Sequence, residues 1–116
     1  LWRRDLGRPS HQWGYAASPV LHDELCFLNF GPGPRSFTGT GARNSSWSAP
    51  VLAGDRLYVP NQNADVFVLR AGAKFECLAT NSIGGEPMNA SLAISGGDIF
   101  IRTDRRLWCV AEGKKP

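Results

Sequence analysis

Apolar residues along this chain fall in short runs of Val, Ile, Leu, Phe and Tyr, each bounded by Gly, Asp, Asn or Ser. That is the pattern of β-strands punctuated by turns, and no segment keeps a helical period over several turns. The runs predict strands over Trp2 to Leu6, Ala17 to Leu21, Leu25 to Phe30, Ala49 to Ala53, Arg56 to Val59, Asp65 to Arg70, Phe75 to Thr80, Ala90 to Ser95, Asp98 to Arg102 and Arg106 to Ala111. Gly54-Asp55 and Gly96-Gly97 supply the positive φ that a two-residue hairpin turn needs. His22-Asp23-Glu24 has no glycine, which predicts a different or looser turn. Asn61-Gln62-Asn63-Ala64-Asp65 predicts another reversal, because Asn and Asp tolerate the left-handed region and hydrogen-bond their own backbone.

The hairpins repeat. Ser48 to Val59 is written again at Ala90 to Ile101, and in shorter form at Ser18 to Phe27. Leu57-Tyr58-Val59, Val66-Phe67-Val68-Leu69 and Ile99-Phe100-Ile101 are apolar at consecutive positions, so both faces of these strands are expected to be covered. With no helix to cover them, the cover must be neighbouring antiparallel sheets. The step from Pro50 to Leu92 is 42 residues, inside the roughly 40 to 45 of a four-stranded propeller blade. From Pro19 to Pro50 it is only 31. The shortfall falls in Gly31 to Ser46, where Phe37 is the only large apolar residue, and which reads as a loop or a deletion scar.

Bulk composition limits the alternatives. A chain of 116 residues that is 42% hydrophobic is long and apolar enough for one ordinary domain. The net charge of +3, with both signs interspersed, implies no nucleic-acid partner, and Arg3-Arg4, Arg105-Arg106 and Lys114-Lys115 read as solvated clusters. No run approaches the roughly 20 apolar residues of a membrane-spanning helix. The chain opens at Leu1 on an expected strand, as a fragment or processed product would. Cys26, Cys77 and Cys109 are odd in number and form no Cys-x-x-Cys unit; the apolar surroundings of Cys26 and Cys109 suggest thiols acting as small hydrophobes.

Several residues resemble a known repeat. His11 to Leu21 and Trp47 to Leu52 resemble the blade-opening strands of pyrroloquinoline-quinone-like (quinoprotein-like) β-propeller proteins, and Phe67-Val68-Leu69-Arg70 and Arg106 to Val110 resemble their third strand. Leu1 to Gly7 resembles the last strand of a preceding blade, and the likeness is nearest to the bacterial outer-membrane assembly factor-like branch. Arg70 stands where the family carries Asp, and Ala71-Gly72 replaces its Thr-Gly. The resemblance implies an all-β, incomplete β-propeller of stacked antiparallel blades. Residues 1–7 would be a final strand, 13–46 a shortened blade, 47–89 a full blade and 90–116 a closing half-blade. It also implies an extracytoplasmic, periplasmic setting, and open blade faces that meet a protein partner or further copies of the chain.

Chemistry is thinly written. His11 and His22 have no spacing that enforces metal binding, and no serine or cysteine sits in a nucleophile motif. Gly39-Thr40-Gly41-Ala42-Arg43-Asn44 lacks the third glycine of a dinucleotide loop, and Asn44-Ser45-Ser46 and Asn89-Ala90-Ser91 are short sequons that arise often by chance. Trp13, Trp47 and Trp108 read as packing between blades, and Asp55, Asp65 and Asp98 as turn formers. The quinone enzymes of the resembling family use adjacent cysteines, which this chain lacks. No catalytic, cofactor-binding or metal-ligating residue is therefore assigned, and no cofactor is expected. The expected function is a non-catalytic protein-binding or scaffolding segment, carried by the loops Pro60 to Asp65, Asn81 to Asn89 and Gly31 to Ser46. The alternative is part of a quinone-dependent dehydrogenase whose catalytic blades are absent.

Overall fold

A computed structural model of the chain describes residues 3–5, 17–29 and 46–113. Among them there is no helix, and so none long and apolar enough to cross a membrane. Three antiparallel sheets follow one another along the chain. The first is a hairpin of β1 (Val20–His22) and β2 (Leu25–Phe27). The second is a meander of β3 (Val51–Ala53), β4 (Arg56–Pro60), β5 (Asp65–Arg70) and β6 (Cys77–Ser82). The third is a meander of β7 (Ala93–Ser95), β8 (Asp98–Arg102) and β9 (Leu107–Val110).

The three opening hairpins share one register. His22 pairs with Leu25, Ala53 with Arg56 and Ser95 with Asp98, each across a two-residue turn. Gly54 takes φ 59° at the first turn position, and Asp23 takes φ 51° at the equivalent place. The first turn is therefore no looser than the others. Asp is among the few residues that tolerate the left-handed region, and here it does the work expected of glycine. The next reversal corrects a second expectation: its left-handed residue is Ala64, at φ 63°, and neither Asn61 nor Asn63.

Strand alternation decides which side chains meet. In the middle sheet, Leu52, Leu57, Val59, Phe67 and Leu69 share one face, on which Val20 and Phe27 of the first sheet pack. Val51, Tyr58 and Val66 share the other face and pack with Leu92, Ile99, Ile101 and Trp108 of the third sheet, around buried Ala64 and Met88. The middle sheet is covered on both sides, as its consecutive apolar positions require. Each fully buried Leu, Ile, Val or Met contributes about 1.5–3 kcal/mol to holding these layers together. Across sheets, the strands whose Cα atoms come within 8 Å are the first ones, β1 with β3 and β3 with β7. The outermost strand of the middle sheet, β6, is exposed along its whole length.

Boundaries differ from expectation where a local bond competes with the strand. β6 begins at Cys77 rather than Phe75, because Arg70 N donates to Glu76 O (3.0 Å) and Arg70 Nε to Glu76 Oε2 (2.8 Å), turning Phe75 outward at 67% exposure. β7 begins at Ala93 rather than Ala90, since Asn89 to Ser91 bond to the neighbouring sheet instead. Arg3, Arg4 and Asp5 of the expected first strand are exposed and outside any strand, as three charges with nothing to bury allow; the rest of Leu1 to Gly7 lies outside the described residues. Residues 13–16 and 30–45, including the short middle segment up to Ser45, also lie outside them.

Candidate functional site

Chain direction sends the loops to opposite ends of the stack. One end carries the tight turns at Asp23, Gly54 and Gly96. The other carries the segments before β1, β3 and β7 and the loops after β4, β6 and β8. The buried polar residues among those described, Ser46, Ser48, Asn61 and Thr103, all lie at this second end. Burying a polar group is costly unless it is hydrogen-bonded, so each of these side chains marks a built junction rather than a slack loop.

Asn61, at 2% exposure, organises the loop after β4. Its Oδ1 accepts from Asn63 N (3.0 Å) and Asp65 N (2.9 Å), while its Nδ2 donates to Asp65 Oδ2 (3.0 Å). The loop after β6 is tied to it: Ile83 N donates to Ala64 O (3.2 Å), Met88 N to Gln62 O (3.2 Å), and Gln62 Nε2 to Asn89 Oδ1 (2.7 Å). Two of the three expected loops, Pro60 to Asp65 and Asn81 to Asn89, thus form one surface. Of the third, Gly31 to Ser46, only Ser46 is described; its hydroxyl donates to Pro60 O.

The same end stitches the sheets together. Asn29 Nδ2, just past β2, donates to Ser46 Oγ (2.8 Å) and Ser48 O (2.9 Å). Ser48 Oγ donates to Ala90 O (3.0 Å), and Ser91 Oγ accepts from Ala49 N (2.9 Å), a separation of 42 residues that equals the repeat step. On the third sheet, Thr103 Oγ1 donates to Glu86 Oε2, Arg106 Nη1 donates to Glu86 Oε1, and Asp104 N donates to Pro87 O (3.0 Å). Arg106 also lies 5.8 Å from the centroid of the Trp108 ring. The exposed rim left around this network is rich in amides and arginines: Asn63, Asn81, Asn89, Arg102, Arg105 and Arg106.

Comparison of the chain with family models, with curated proteins and with solved structures returns no match. The site is therefore read from its own geometry. Among the described residues no three His, Cys, Asp or Glu side chains converge as metal ligands would. His22 lies 3.7 Å from Asp23 on the turn end, away from the loop network, and His11 lies outside the described residues. Asp55 and Asp98 stand at the turn end, whereas Asp65 belongs to the Asn61 loop.

Arg70 has a role the sequence did not suggest. It closes the turn end by bonding Asp55 Oδ2 (3.0 Å) and Glu76 Oε2 (2.8 Å) at once. The hydrogen bond that Arg70 donates to Glu76 raises its pKa above the ordinary arginine range, helped by the charges of Glu76 and Asp55. A raised pKa adds stability that is fully present below the unfolded value and lost only as pH climbs through the folded one. The clamp's cation therefore persists at every pH at which proteins are handled.

Cys26, Cys77 and Cys109 are unbridged and exposed, not packed as small hydrophobes. Alternation explains the difference: Cys26 shares an outward face with Leu21, and Cys109 with Leu107. Trp47 is 42% exposed, while Trp108 packs half-buried on the interface of the second and third sheets, its indole N–H without an acceptor among the described residues. Sequence reasoning missed Asn29, Ser48, Glu86 and Thr103. The available signal was the serine recurring just before each first strand, at Ser18, Ser48 and Ser91.

Proposed function

We propose that this chain is a segment of a quinoprotein-like β-propeller that serves as a non-catalytic protein-binding or scaffolding module, with the loop end as its recognition surface. The observation that carries this reading is the gathering of Ser46, Ser48, Asn61 and Thr103, all buried and hydrogen-bonded, at one end of the stack. A junction so braced holds the exposed amides around it in fixed positions, which lowers the ordering cost of binding. Successive meanders whose first strands approach one another, with an exposed outermost strand, support a blade arrangement around an axis near β1, β3 and β7. The amide- and arginine-rich rim suits a peptide segment, whose carbonyls and carboxylates are acceptors for those donors. The extracytoplasmic setting belongs to the same reading.

The test is selection of displayed peptides against the chain, followed by binding to two variants. Binding is expected to fall at least tenfold with Gln62→Arg/Asn63→Arg and to survive Asp55→Arg at the turn end. Peptides that depend on Asp55 and ignore the loop pair would overturn the assignment. A saturable thermal stabilisation by pyrroloquinoline quinone with calcium would instead favour a dehydrogenase.

A further inference from the structure

Among the described residues the third sheet ends at β9, with no further strand beside it. In the middle sheet, β5 is covered by β6, but among the described residues β9, its counterpart, pairs with β8 alone. Leu107-Trp108-Cys109-Val110-Ala111 contains no proline and no charge, the usual devices that protect an edge. Leu107 is 70% and Val110 46% exposed.

We propose that β9 is a self-association edge, pairing antiparallel with β9 of a second copy in one register. The parity of the ladder fixes which backbone groups are available. Thr103 N donates to Arg106 O (2.9 Å), so these residues form a hydrogen-bonded pair. With Ile101 opposite Trp108 and Ile99 opposite Val110, alternation turns the backbone groups of Trp108 and Val110 toward β8. Those of Leu107, Cys109 and Ala111 face outward. A second β9 can bond only by matching outward residues to outward residues.

Charge selects among the registers that remain. With Cys109 opposite its own copy, Leu107 faces Ala111 of the other chain and Arg106 faces Glu112, twice by symmetry. Shifting by one allowed step either way sets Arg106 against Val110 or Trp108 against Glu112, and both ion pairs are lost. Arg106 already bonds Glu86 through Nη1, but a guanidinium has further donors to offer. The other outer edges lack this self-complementarity. β6 is paired to β5 through a register shift and follows Glu76 with no basic residue just past its end, and β2 likewise follows Asp23-Glu24 with no basic residue just past its end. Strands this short bury little surface, so the pair is a weak, concentration-dependent dimer. This inference does not rest on the recognition surface proposed above.

The cysteines report the register, since one exposed thiol sits in each sheet. Across a hydrogen-bonded pair the Cα atoms are about 5.5 Å apart, within disulfide reach. Chains retaining only Cys26, only Cys77 or only Cys109, the others changed to Ser, are oxidised with diamide. The Cys109 chain is expected to yield disulfide-linked dimer about tenfold faster than the other two. Glu112→Arg, and separately Arg106→Glu, lower that rate about tenfold, and mixing these two variants restores it by placing opposite charges at both sites. In the unaltered chain, amide exchange at Leu107, Cys109 and Ala111 slows with rising protein concentration, while Trp108 and Val110 stay protected throughout. Equal rates for the three single-cysteine chains, no rescue on mixing, or exchange indifferent to concentration would each overturn the proposal, and none of these results bears on the peptide-binding loops.

Discussion

At the level of single residues, the chain spends its polar side chains on holding backbone. Asn61 occupies both its acceptor and its amide in one loop, leaving two backbone N–H groups dependent on it. Asn61→Ala is expected to cost about 1–2 kcal/mol, because two backbone donors of a part-buried loop lose their shared acceptor. Urea unfolding checks this, and an unchanged midpoint would mean that the loop finds other acceptors. The loop's place was legible from Asn61-Gln62-Asn63-Ala64-Asp65, but its strained residue was not. A sequence shows that Asn tolerates positive φ, whereas the choice of Ala64 follows from its methyl group filling the core beside Met88 and Leu92. The cysteines teach the same lesson: apolar neighbours in sequence alternate across a strand, so Leu25 and Phe27 turn one way and Cys26 the other.

For whole elements, the hairpins were readable because their turns are chemically explicit. Gly54-Asp55 and Gly96-Gly97 announced two of them, and the shorter copy of the same pattern at Ser18 to Phe27 placed the third. Missing from the first was the fact that Asp23 adopts the glycine conformation under the pull of the flanking pairs. Asp23→Gly should relieve that strain and raise stability by up to about 1 kcal/mol, after allowing for the freedom glycine gains in the unfolded chain. A lower melting temperature would refute the equivalence of the three turns. Strand starts at β6 and β7 were misplaced because side-chain bonds to Glu76, from Ser48 and to Ser91 decide them; the first lies six residues from its partner but in a turn, and the other two join residues 42 apart.

For the molecule as a whole, the layered order of three sheets followed from consecutive apolar positions, and the repeat step of 42 residues reappears as the span of the bond between Ala49 and Ser91. The polar junction at the loop end was only partly visible, since it is assembled from residues in every sheet. Ile101 joins the last two layers, packing with Val66, Met88 and Leu92. Ile101→Ala is therefore expected to cost about 2–4 kcal/mol and to lower one shared unfolding transition seen by both circular dichroism and tryptophan fluorescence. Separate transitions for the first and third sheets would show that the layers fold independently. The middle sheet greets both neighbours with the same kind of apolar surface. A module written this way can be copied tandemly and still find a compatible mate on either flank, so lengthening or shortening the array by gene duplication needs no new rules of assembly.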